Sequence, residues 1–138
     1  MTSAMNEETS MNVHLEHALI DVRNLDRSLG FYRTLLPDWV VRWEGHTMEG
    51  TRWVHFGPPG DGQPGYLSLY EIPDAPEPPD SGLRIEHVGF AVPDVEGLVQ
   101  RVSALNLSLP ERVEDGAYRR AYFTDPDGHQ LEFVQKLA

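Results

Sequence analysis

Apolar residues fall into short runs along this chain, and the runs recur. Leu15-Glu16-His17-Ala18-Leu19-Ile20-Asp21-Val22 is matched at an offset of 70 by Ile85-Glu86-His87-Val88-Gly89-Phe90-Ala91-Val92. Both are short and rich in aliphatic residues, as buried strands are. A turn-and-cap signal follows each, Arg23-Asn24-Leu25-Asp26 in one half and Pro93-Asp94-Val95-Glu96 in the other. Helical spacing comes next: Leu25, Leu29, Tyr32 and Leu36, then Val95, Val99, Val102 and Leu105. Asp26 and Asp94 stand where an N-cap or first-turn acid belongs. Further on, Thr51-Arg52-Trp53-Val54-His55-Phe56 matches Tyr118-Arg119-Arg120-Ala121-Tyr122-Phe123 at an offset of 67. Tyr66-Leu67-Ser68-Leu69-Tyr70 matches Gln130-Leu131-Glu132-Phe133-Val134 at 64. Each half therefore predicts a strand, a helix and about three more strands.

The expected fold is α+β, with tandem βαβββ modules over about 13–72 and 83–138 whose sheets form a cleft-bearing half-barrel within one domain. One helix cannot cover both faces of a four-stranded sheet. Two modules that pair their uncovered faces enclose a cleft and set equivalent strands opposite each other. The break between them is IPDAPEPPDSG at 72–82, where five of eleven positions are Pro or Gly and neither helix nor central strand can form. GPPGDGQPG at 57–65 predicts a turn joining two strands. Residues 1–12, polar and acidic, read as a flexible tail.

Composition narrows the function classes. A length of 138 residues fits one domain. No apolar run approaches the roughly 18–20 residues of a membrane span, and no secretory signal is visible, so a cytoplasmic protein is expected. Cysteine is absent, which excludes disulfides, thiolate metal sites and cysteine nucleophiles. Eleven basic against 22 acidic residues give a net charge of −11, which argues against nucleic acid and anionic membranes as partners. No glycine-rich phosphate loop and no nucleophile elbow occurs.

Strand alternation points to a metal. Ala18, Ile20 and Val22 share one face of the first strand; His17, Leu19 and Asp21 share the other. In the fifth strand Val88, Phe90 and Val92 oppose His87, Gly89 and Ala91. In the last, Leu131 and Phe133 oppose Glu132. With the apolar sets packed on the helices, His17, His87 and Glu132 face the cleft. Two imidazoles and a carboxylate hold Fe(II), Mn, Ni or Zn and leave coordination positions open for water or substrate. The same parity lines the cleft with Trp53, His55, Tyr66, Tyr70, Arg120 and Tyr122, a pocket suited to a flat, partly apolar anion. His55 and Tyr122 are candidate acid–base groups. Asp125-Pro126-Asp127-Gly128 reads as a tight turn, since the further ligands of a calcium loop are missing. Strand parity assigns His14, His46 and His129 to no metal set.

LEHALIDVRNLDRSLGFYRTLL at 15–36, IEHVGFAVPDV at 85–95 and YFTDPDGHQLEF at 122–133 resemble the vicinal oxygen chelate superfamily. That group includes glyoxalase I, extradiol dioxygenases, fosfomycin-resistance transferases, methylmalonyl-CoA epimerase and bleomycin-resistance proteins. The resemblance implies ligands on the first, fourth, fifth and eighth strands, which carry over to His17, His87 and Glu132. The fourth-strand position is Ser68, where glyoxalase I-like members carry glutamate. Ser68 cannot act as the strong base of a glyoxalase-type isomerisation; with Trp53, Tyr70 and Arg120 it is a candidate substrate-binding residue. Glu71 has the parity of Leu67 and Leu69 and is expected outside the cleft unless a bulge rotates it inward. The implied function is a small metal-dependent enzyme, of lyase/isomerase or dioxygenase type, chelating neighbouring oxygens of a small organic substrate. Two alternatives stay open: a metal-free, bleomycin-resistance-like binding protein for a cationic aromatic drug, and a dimeric scaffold with a vestigial site. The resemblance also implies a homodimer, in some members with exchanged modules.

Overall fold

The computed structural model describes residues 13–105 and 110–137; the tail expected at 1–12 lies outside them. In chain order the elements are β1 (His17–Val22), α1 (Leu25–Leu35), β2 (Val40–His46), β3 (Arg52–Gly57), β4 (Tyr66–Glu71), β5 (Val88–Ala91), α2 (Val95–Ser103), β6 (Glu111–Glu114), β7 (Tyr118–Thr124) and β8 (Gln130–Lys136). These are two βαβββ modules. Their four-stranded sheets run β1-β4-β3-β2 and β5-β8-β7-β6. In each sheet the first strand lies parallel to the last, and the other pairs are antiparallel. β5 begins at Val88 rather than Ile85, so His87 stands one residue ahead of the strand.

Alternation is obeyed. Ile20, Val22, Val54, Phe56, Leu67, Leu69, Phe90, Ala121, Phe123, Leu131 and Phe133 are buried on the helix side of their sheets. α1 contributes Leu25, Leu29, Phe31, Tyr32 and Leu35, and α2 contributes Val95, Leu98 and Val102. Each helix starts on a polar cap. Asn24 Oδ1 accepts from Arg27 N at 3.0 Å, with Asp26 in the first turn. Asp94 Oδ1 accepts from Gly97 N at 3.1 Å. A residue at the end of each module adds a second cap: Glu71 accepts from Leu25 N at 2.8 Å and Gln135 from Val95 N at 3.0 Å. These two hold the repeat relation of β4 to β8.

The modules join through their helix-bearing sides. One apolar core contains residues of both, with ring contacts between Phe31 and Phe123 at 6.2 Å and between Trp39 and Phe90 at 5.8 Å. Arg101 of α2 donates to Thr34 O and Leu35 O at the end of α1. The β7–β8 turn completes the joint. Asp127, only 4% exposed, accepts from Arg23 Nη1 at 3.2 Å, Arg27 Nη2 at 2.7 Å and Ser28 Oγ at 3.4 Å. Asp125 accepts from Tyr32 Oη at 2.7 Å and from the backbone N–H of Asp127 and His129 at 2.9 Å. Burial pushes the Asp125 carboxyl above its usual range, against the pull of those donors. Burial first, and then the charge of Asp125, push the Tyr32 phenol well above its ordinary value. The Asp125–Gly128 turn is thus an inter-module clasp as well as a tight turn. No described helix is long and apolar enough to cross a membrane.

Candidate metal centre

His87 and Glu132 meet on the open face of the second sheet, with His87 Nε2 3.2 Å from Glu132 Oε1. On the other side of the ring, Nδ1 lies 2.7 Å from Glu86 Oε1. A carboxylate only accepts, so Nδ1 carries the proton and the Nε2 of a neutral ring presents a lone pair to Glu132. Two acceptors at this separation require a proton or a cation between them. Donors bonded to one ion at roughly 2.0–2.2 Å lie about 3 Å apart, so the spacing suits a shared metal. The second Glu132 oxygen is held as well: Arg120 Nε is 3.3 Å away, and the Tyr122 phenol, its cross-strand neighbour, donates to the same carboxylate. Partial burial and the Glu132 charge push that phenol upward, keeping it a donor at neutral pH. Arg120 also pairs with Asp115, so its charge is shared between two acids.

The first sheet carries the matching arrangement. His17 Nδ1 lies 3.0 Å from Glu16 Oε1, which leaves its Nε2 free in the same sense. The His17 ring stacks on Tyr66 at 5.0 Å and lies 6.5 Å from His55. His55 contacts Tyr66 at 4.7 Å and Trp53 at 4.9 Å, and Trp53 stacks with Tyr70 at 6.5 Å. Arg42 sits over the Tyr66 ring. Ser68 is buried beneath these rings, beside Leu19 and His55 in register. Burial first, and then its neighbours His17 and Arg42, hold the His55 imidazole below its usual range. It is therefore a neutral ring at pH 7, able to take up a proton.

His17 does not join His87 and Glu132 within one chain. Among the described residues no three His, Asp or Glu side chains cluster closely enough to hold an ion. The modules share one helix-side core. Other candidates are accounted for elsewhere. Glu71 is spent on the α1 N-terminus. His129 Nε2 hydrogen-bonds Asp21 O at 2.7 Å, tying β8 to β1. Glu16 and Glu86, which orient both imidazoles, escape a reading of strand parity alone; the repeated Glu-His pair is the signal that marks them.

Residues 14–133 match the family model described as the Glyoxalase/Bleomycin resistance protein/Dioxygenase superfamily. Solved structures share the fold. The trypanothione-dependent glyoxalase I of Leishmania major is 22% identical, with a TM-score of 0.73 over 90% of this chain and 87% of its own. The genomically encoded fosfomycin resistance protein FosX of Listeria monocytogenes, complexed with Mn(II) and sulfate, is 18% identical, with a TM-score of 0.64 over 92% and 95%. TnmS3, an antibiotic binding protein from Streptomyces sp. CB03234, is 20% identical, with a TM-score of 0.65 over 92% and 98%.

Proposed function

Because the chain belongs to the Glyoxalase/Bleomycin resistance protein/Dioxygenase superfamily, we propose that it is a small metal-dependent enzyme whose divalent ion is held by His17, His87 and Glu132. The observation that carries this reading is the pair of imidazoles, each tied at Nδ1 to the preceding glutamate, with one Nε2 3.2 Å from Glu132. A carboxylate behind the histidine is the usual outer partner of a metal-ligating imidazole. The ion would supply Lewis acidity toward two neighbouring substrate oxygens. His55 is the proton acceptor of the pocket, Tyr122 orients Glu132, and Trp53 and Tyr70 offer ring faces to a flat substrate.

The centre closes in a homodimer, where the His17 face of one chain meets the His87–Glu132 face of a second copy. Exposed apolar side chains precede both histidines at equivalent positions: Val13 and Leu15 ahead of His17, Leu83 and Ile85 ahead of His87. Burying such strips is the main driving force of association. The reaction is of lyase/isomerase or dioxygenase type.

The test is metal uptake. Chelator-treated protein is titrated with Mn(II), followed by electron paramagnetic resonance, and with Fe(II) under anaerobic conditions. One ion per chain is expected, with uptake lost in His17→Ala, His87→Ala and Glu132→Gln. Retention of a stoichiometric ion by the His17→Ala/His87→Ala double variant would remove the assignment.

The ring platform Trp53–His55–Tyr66, on a chain of net charge −11, favours one second reading, a metal-free binding protein for a cationic aromatic drug. That reading predicts drug binding unchanged by chelator.

A further inference from the structure

β1 and β5 are outer strands of their sheets, and where the modules meet beside them the structure holds a pocket of ≈ 250 Å³. Its inner wall is Leu36, Trp39, Leu67 and Phe90, and His17 and Tyr66 stand at its rim. Trp39 is fixed between the Phe56 and Phe90 rings, so the wall is preformed. It is separate from the Trp53–Tyr70 ring face and opens beside His17. A cavity of about 150 Å³ lined by Leu, Ile and Phe takes up benzene, so this one has room for one ring bearing a short substituent.

We propose that the pocket between the modules receives the apolar arm of the substrate, a single aromatic ring or a branched alkyl group, while the oxygen-bearing head lies at the His17 side. The proposal rests on the metal-centre reading for the head and on the pocket alone for the arm. Among the described residues no Asp, Glu, Lys or Arg side chain lines the pocket, so a charged or strongly polar arm is excluded by its desolvation cost. Ala18 lines the same pocket beside His17, and Ala18→Leu fills it without touching a proposed ligand.

The arm is tested first on metal-free protein with toluene as probe, by methyl NMR. Saturable shifts confined to Ala18, Leu36, Leu67 and Val88 are expected. Ala18→Leu should weaken toluene binding at least about tenfold, the effect of losing one buried ring's worth of apolar contact. Trp39→Ala should shift preference from toluene to naphthalene, and it serves where Ala18→Leu does not fold. Shifts that scatter over the surface without saturating, or undiminished toluene affinity in a folded Ala18→Leu, overturn the proposal. The head is tested with Mn(II)-loaded protein, comparing catechol with 4-tert-butylcatechol. The alkyl arm should tighten binding at least about tenfold in wild type and not in Ala18→Leu. Mn(II) retention with equal affinity for the two catechols overturns the arm. Failure to retain Mn(II) with toluene binding intact overturns the metal reading and upholds the pocket's ligand class.

Discussion

Asp127 is the residue whose loss should loosen the joint between modules most. Asp127→Ala removes the acceptor of a 2.7 Å bond from Arg27 and a 3.2 Å bond from Arg23, and it strands the buried Ser28 hydroxyl. A hydrogen bond to a charged group contributes roughly 1.5–3 kcal/mol. Breaking a fully buried ion pair costs about 3–5 kcal/mol. Arg23 and Arg27 are a quarter and nearly half exposed, so water takes back part of their charge, and the cost falls to about 2–4 kcal/mol. Unfolding entropy of about 2.1 cal/mol/K per residue over 138 residues is about 0.3 kcal/mol/K, so a loss of about 3 kcal/mol lowers Tm by about 10 °C. Urea unfolding with calorimetry measures both quantities. The control is Asp26→Ala, which breaks the exposed pair with Arg52 and should leave the midpoint nearly unmoved. Equal shifts in the two variants would refute the clasp.

Asp125 gives a pH signature. Its carboxyl is raised above 3.8 by burial in the folded state, so its contribution is complete below that value and is lost as pH rises through the raised one. Wild type should therefore lose stability relative to Asp125→Asn over that interval, and a relative gain would contradict the assignment. Tyr122→Phe should weaken Mn(II) affinity about 10–100-fold without unfolding the protein, as loss of a ligand's outer partner does; unchanged affinity would leave Tyr122 outside the centre. Glu71→Ala removes an acceptor from the start of α1 and should cost about 0.5–2 kcal/mol in urea unfolding with metal uptake unaltered. Impaired uptake would place Glu71 at the centre instead.

Much of this architecture is legible because duplication writes one pattern twice. The offsets of 70, 67 and 64 align β1 with β5, β3 with β7 and β4 with β8, and alternation then assigns faces, as the burial of Val54, Phe56, Leu131 and Phe133 bears out. Alternation fixes a side chain only relative to its own sheet. It says nothing of how two sheets sit together, which is why parity sets His17 opposite His87 while, among the described residues, the structure gathers no three such groups into one cluster. The clasp is illegible for a related reason: Arg23 and Asp127 are 104 positions apart, and each looks locally like a turn residue. The caps from Glu71 and Gln135 lie within reach, since both obey the offset that aligns β4 with β8.

The proposed centre shares one ion between the His17 face of one chain and the His87–Glu132 face of another. Mixing His17→Ala with His87→Ala protein, each inactive in Mn(II) uptake alone, tests it directly. Subunit exchange should restore uptake, up to one ion per mixed dimer, because one of its two clefts then draws only unaltered ligands. No recovery in a mixture shown by native mass spectrometry to contain mixed dimers would contradict the shared centre.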